Sequence, residues 1–144
     1  MSIFVDTGAW YALADRADRH HDEASRFCLS CAGRVTLVTS HLIVAETWTL
    51  ISSHIGRPAA LTVSQTLRDI RLPIHAIQDQ DVEAAWRIVE AFPDHDFGFT
   101  GCTSFALMER FRIEEALRFD RHFLVYRYGH LRRRAFRVAN ETKP

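Results

Sequence analysis

The chain has 144 residues, 47% hydrophobic and 25% charged, with 18 basic side chains balanced by 18 acidic ones for a formal net charge of +0. Those values exclude disordered and fibrous classes and fit one globular domain over 1–144, long enough to bury roughly two thirds of its unfolded surface without disulfide or structural metal. No stretch approaches the roughly 20 apolar residues of a membrane span, and no charged segment precedes an apolar run at the N-terminus, so a cytoplasmic protein is expected. Zero net charge argues against nucleic-acid affinity driven by total charge, though not against a local basic face. The basic residues are 17 Arg and one Lys.

In chain order, a strand is expected over 2–5, ending in Asp6-Thr7-Gly8, then a helix over 9–13. A better helical pattern runs over 20–32, with Ala24, Phe27, Cys28 and Cys31 on one side and Gly33 as its stop. Residues 35–39 read as a buried strand. Ser40 or His41 caps a helix over 42–55, closed by Gly56, and Pro58 opens another reaching Ile70. A strand over 72–77, a helix over 79–92 and a loop over 93–99 follow. Thr100 is expected to cap a helix to Phe111; a strand over 116–119 and an edge strand over 135–138 complete the chain. Strands alternating with helices of this length imply a three-layer αβα sandwich around a short, mainly parallel sheet.

Three cysteines are too few for a disulfide framework, and Cys28-Leu-Ser-Cys31 lies inside a helical pattern rather than after a strand, so buried helical thiols are expected. No second Cys pair or His pair completes a zinc site.

The acids are more telling. Asp6 and Asp120 each follow a strand, and parallel strands share one carboxyl edge, where such sheets bind ligands. Glu46 sits on an otherwise apolar helix, and Asp96 in a loop feeding another. Converging carboxylates raise one another's pKa unless a cation neutralises them. Mg²⁺ or Mn²⁺, which take oxygen ligands, resolve the repulsion, and two such ions about 3.5–4 Å apart clamp the attacking and leaving oxygens of a phosphodiester. Taken singly, Asp6 also reads as a helix cap, Glu46 as an arginine partner, and Asp120 with Arg121 as turn chemistry.

Four segments together resemble the PIN-domain nucleases, and within them the VapC toxins of bacterial type II toxin–antitoxin pairs. They are Phe4-Val5-Asp6-Thr7-Gly8-Ala9-Trp10, Val44-Ala45-Glu46-Thr47, the run from Asp94 through Asp96 to Met108, and Phe119-Asp120-Arg121-His122-Phe123. The resemblance implies a metal-dependent endoribonuclease using Mg²⁺ or Mn²⁺ with water as nucleophile. It also implies a homodimer and a cognate antitoxin that occupies the active-site groove. Asp6, Glu46 and Asp120 match the family's acidic positions, and Asp96 an additional acid of this subgroup. Gly101 departs from the pattern, standing where relatives carry an Asp that ligates metal in the first turn of a helix. Glycine supplies no oxygen there and loosens the helix start. A disarming substitution, a naturally inactive relative and compensation by Asp96 all account for it. A weakened nuclease is therefore expected, with a catalytically dead module binding RNA or antitoxin as the alternative.

Thr7, Thr103 and Ser104 lie beside the acidic positions as supporting hydroxyls, with helix capping explaining the two threonines equally well. Arg127, Arg132, Arg133 and Arg134, together with Arg137 and interleaved Tyr126, Tyr128 and His130, suit an RNA backbone and unstacked bases; a solvated edge is the plain alternative. His20 and His21 are expected to be exposed at a helix start. Trp48, Ile51 and Trp86 are expected mostly in the core, any surplus apolar face serving a dimer or antitoxin. Asp6-Thr7-Gly8-Ala9 also matches retroviral-type aspartic proteases, but only five residues precede it and the remainder reads mainly helical. A phosphatase of the Asp-x-Asp type is excluded by Gly8.

Overall fold

The computed structural model describes residues 1–120, 122–129 and 132–140; Arg121 and His130 lie outside the described residues. The elements are β1 (Ser2–Val5), α1 (Thr7–Ala14), α2 (His21–Cys31), β2 (Thr36–Ser40), α3 (His41–His54), α4 (Arg57–Asp69), β3 (Ile74–His75), α5 (Asp79–Ala91), α6 (Phe99–Phe111), β4 (Glu115–Leu117), α7 (His122–Val125) and β5 (Arg137–Val138). The strands form one sheet in the order β3-β2-β1-β4-β5, every pairing parallel. Helices flank it in the αβα arrangement expected from the alternation of elements.

β1 lies at the centre, paired with β2 (Phe4 opposite Val38) and β4 (Val5 opposite Leu117). Ile3, Phe4 and Val5 are buried, as a strand covered on both faces requires. The Thr39 hydroxyl donates to the Val5 carbonyl (2.9 Å) and accepts the Trp10 indole N–H (3.3 Å), locking β2 and α1 to the end of β1.

Local chemistry sets the helix ends. Ser40, extended at φ −122°, caps α3 by accepting the Ile43 amide at 3.2 Å. At the other end the Ile55 and Gly56 amides both reach the Ile51 carbonyl, and Gly56 turns the chain at φ +137°. α5 opens on a capping box in which the Asp81 carboxylate accepts the Gln78 amide at 2.9 Å. Asp81 is also gripped by Arg110 of α6, Nε and Nη2 each donating at 2.8 Å. Cys102 to Met108 are all buried, and α6 packs against α5 and α3.

Several boundaries differ from expectation; β4, expected over 116–119, runs from Glu115 to Leu117. β3 is two residues rather than six, because Pro73 offers the Thr39 amide a carbonyl but has no N–H to extend the ladder. Thr100 does not cap α6: Gly98 holds that position, without a side-chain cap, and Thr100 is already helical. The short α7 after Asp120 has no periodic signal in the sequence. β5 is an edge strand, shorter than expected.

Candidate active site

From β1 the chain winds to β2 and β3 on one side, then crosses to β4 and β5 on the other. The order reverses between β1 and β4, and at such a switch point the carboxyl ends of the two strands leave a crevice. The Asp6 amide still pairs with the Leu117 carbonyl at 3.1 Å, extending the β1–β4 ladder to the crevice rim. Asp120 follows β4 by three residues.

Asp6 is 7% exposed. Burial foremost, then the negative charge of Asp120, push its carboxyl up to about 8; the Thr7 amide opposes the rise, and Glu46 adds to it. The Asp6 and Asp120 carboxyls stand near enough to share a proton. Asp6 occupies the N-cap position of α1 yet makes no capping hydrogen bond. Its side chain is therefore committed to the crevice and not to the helix. The Thr7 hydroxyl beside it is buried with no hydrogen-bond partner among the described residues.

Asp120 serves both readings made for it. Its Oδ1 accepts the His122 amide at 3.0 Å, a turn contact, while Oδ2 lies 4.0 Å from His122 Nδ1. Glu46 projects from α3, exposed, and makes no ion pair among the described residues, so the alternative reading of it as an arginine partner finds no support there. Asp96 is exposed in the loop before α6 and is not among the charges acting on Asp6. The hydroxyls of Thr103 and Ser104 both donate to the Thr100 carbonyl, at 2.6 and 3.1 Å, within their own helix. Neither caps it. Among the described residues, no three His, Cys, Asp or Glu side chains converge closely enough to hold an ion by themselves. Gly101 lies in the first turn of α6, and a Cβ built on it meets nothing within 4 Å. Position 101 therefore has room for a side chain.

The donor set fits a hard dication of the Mg²⁺ type, which one or two carboxylates and several waters suffice to hold. It does not fit a soft ion, since its donors are carboxylate oxygens and no cysteine groups with them among the described residues. Cys28 and Cys102 are protonated thiols pushed up to about 11 by burial.

The C-terminal arginines are distributed unevenly. Arg134 pairs with Glu114 (2.8 Å) and Arg137 with Glu115 (2.8 Å), at the opposite end of β4 from Asp120. Tyr126 is buried, stacked on Phe105 at 4.3 Å. Arg132 and Arg133 are exposed, and Arg127 is half-buried with Nη1 donating to the Tyr126 carbonyl. Two further expectations change. His20 stacks on Phe119 (4.2 Å, 11°), and His21 Nδ1 is 2.7 Å from the Ala12 carbonyl, so both are anchored and not freely exposed. Ile51 is core, but Trp86 is 53% exposed, leaning on Phe99. Sequence reasoning missed the Asp81–Arg110 pair; the Gln78-x-x-Asp81 spacing marks half of it as a capping box, and nothing local marks Arg110. No helix among the described residues is long and apolar enough to cross a membrane.

Comparison with known proteins agrees with this geometry. The PIN domain model matches residues 3–127. The 23S rRNA-specific endonuclease VapC20 of Mycobacterium tuberculosis is 31% identical over 121 residues, 84% of this chain and 91% of that protein. Ribonuclease VapC26 of the same species is 30% identical over 126 residues, covering 87% and 92%. The crystal structure of VapC20, described as a Sarcin-Ricin loop cleaving toxin, superposes with a TM-score of 0.77 at 30% identity over 85% of this chain and 92% of that one. VapBC2 from Rickettsia felis, at 11% identity and a TM-score of 0.64 over 86% and 91%, shares the fold. With a buried acid, Asp6, facing Asp120 at the switch point of a parallel 3-2-1-4-5 sheet and these relatives across most of its length, the chain belongs to the PIN-domain family, in its VapC-type branch.

Proposed function

We propose that the chain, as a single PIN-like nuclease domain over 1–144, is a divalent-metal-dependent endoribonuclease toxin whose activity is weakened at Gly101. The buried Asp6 carboxyl facing the exposed Asp120 carries the reading: a carboxyl held out of water beside a second acid is an unfavourable arrangement for stability alone. Asp6, Asp120 and Glu46, with Asp96 from its loop, would hold Mg²⁺ or Mn²⁺, which supplies positive charge to offset the carboxylates and the phosphate. The protein's own groups do the rest. The β1–β4 ladder fixes the Asp6 backbone, the His122 amide orients Asp120, and Thr7 presents a hydroxyl with its hydrogen bonds unspent. Thr103 and Ser104 retain lone pairs as acceptors. In its ionised form the Asp6 carboxylate would be placed to accept a proton from an attacking water. Gly98 leaves the first-turn amides of α6 without a side-chain acceptor, and those N–H groups favour a phosphate.

Arg127, Arg132, Arg133 and Arg134 are assigned to the RNA backbone, with the Glu114 pairing limiting Arg134. A homodimer and a cognate antitoxin belong to the same reading through the resemblance, and a cytoplasmic setting through the lack of a long apolar run. The alternative, a dead module that binds RNA or antitoxin, is favoured by one observation, the missing acid at Gly101. Mn²⁺-dependent cleavage of structured RNA by the present chain, by Asp6→Asn and by Gly101→Asp tests both. The nuclease reading expects activity to rise in Gly101→Asp and vanish in Asp6→Asn. A Gly101→Asp protein that neither cleaves nor takes up Mn²⁺ by calorimetry establishes the module instead.

A further inference from the structure

A second feature lies away from the acid crevice, between α5, the end of α6 and the segment following α7. It is a hollow of about 270 Å³. Arg87, Arg127 and Arg132 line it, against one carboxylate, Glu109. That carboxylate is turned into the wall: the Tyr126 hydroxyl donates to Oε2 at 2.9 Å, and the Gly129 amide bonds it as well. Gly129 adopts φ +74°, a conformation that costs glycine little. A single carboxylate, Glu109 offsets only part of the positive charge of three arginines. The Arg132 guanidinium sits 5.0 Å from the Phe92 ring centroid, a stacking contact that steadies the planar fork and leaves its N–H donors available. Arg87 and Arg132 are exposed; the charge of Arg132 acts on Glu109 and opposes the rise that burial gives its carboxyl, but neither arginine forms a salt bridge with a carboxylate among the described residues.

Resting on the nuclease reading above, we propose that this hollow binds a backbone phosphate of single-stranded RNA a few nucleotides from the scissile bond, with Arg87 and Arg132 as the principal contacts. Guanidinium forks match phosphate oxygens two at a time. Chain geometry fits the distance: between Asp120 and Arg127 runs the helical α7, so the two are at most about 19 Å apart along the backbone. The strand would pass from the acid pair, along α7, to the hollow. Arg87 lies on α5, far in sequence from the C-terminal arginines.

The test is binding in EDTA, where no cleavage takes place, so its outcome is independent of whether the chain is a nuclease. Fluorescence anisotropy with a labelled single-stranded RNA 12-mer is followed across a salt series (roughly 50–200 mM, where phosphate contacts dominate) for the unaltered protein, Arg87→Gln, Arg132→Gln and the exposed control Arg34→Gln. Each hollow variant should weaken binding severalfold and flatten the log–log salt slope by about 0.7, one single-strand phosphate contact; the control should leave both unchanged. Unchanged affinity and slope in both hollow variants overturn the proposal. So does loss of oligoglutamate binding with RNA binding intact, which would assign the hollow to an acidic protein partner.

Discussion

Replacing Asp6 with Asn removes a charge that the fold, without a cation, tolerates poorly. The carboxyl moves from an ordinary value of 3.8 to about 8 on folding. At about 1.4 kcal/mol per unit, four units correspond to something on the order of 5 kcal/mol between the two protonation states, an upper bound because Asp120 shares the titration. The folded value lies above the unfolded one, so the folded state binds the extra proton between about pH 4 and pH 8. Stability is full below that window and is lost as pH rises through it. In EDTA the unaltered protein should therefore melt some 10 °C lower at pH 8.5 than at pH 5 from this group alone, at roughly 2–4 °C per kcal/mol. The Asp6→Asn profile should be nearly flat over the same range. Millimolar Mn²⁺ should restore the unaltered protein at high pH and leave the variant unmoved, because a cation stabilises the ionised pair. Thermal melts from pH 5 to 9, with and without Mn²⁺, measure all of this. Parallel pH profiles for the two proteins in EDTA would refute the raised Asp6 carboxyl on which the reasoning rests.

Arg110→Ala leaves the Asp81 carboxylate, 2% exposed, without its partner and should cost about 3–5 kcal/mol by urea unfolding at pH 7. Burial alone would raise the Asp81 carboxyl, but Arg110 and the Gln78 amide hold it below the ordinary range. That stabilisation is present above about pH 4 and lost below, so the deficit of the variant should shrink on acidification; a deficit constant with pH would argue against the ion pair as its source. Ser40→Ala should cost about 1 kcal/mol in the same assay by uncapping α3. Cys28, pushed up to about 11, should resist iodoacetamide at pH 7 in the folded protein, and rapid labelling would contradict its burial.

Much of this site can be read from the sequence because its parts obey local rules. Phe4-Val5 before Asp6 and Leu117 before Asp120 mark buried strands by composition, and parallel strands place their carboxyl ends together regardless of what lies between them. Ser40 and Gly56 are local signals of the same kind. What stays hidden depends on partners distant in the chain. No period links Asp81 to Arg110, or Arg134 to Glu114, so a cluster of arginines reads as one basic patch although two of its members, Arg134 and Arg137, are paired at the amino end of β4. Trp86 fits a helical apolar stripe, yet α5 turns it outward. Thr100 looked like a cap because Gly98 offers no side chain to compete with it in a pattern search.

The strand order has a consequence for synthesis. β1 emerges first, but its neighbour β4 is among the last elements made. Until that late strand docks, a nascent polypeptide carries Asp6 with nothing opposite it. A product cut short by premature termination before residue 115 therefore lacks half the acid pair, and the cell making it is spared whatever the finished fold can do.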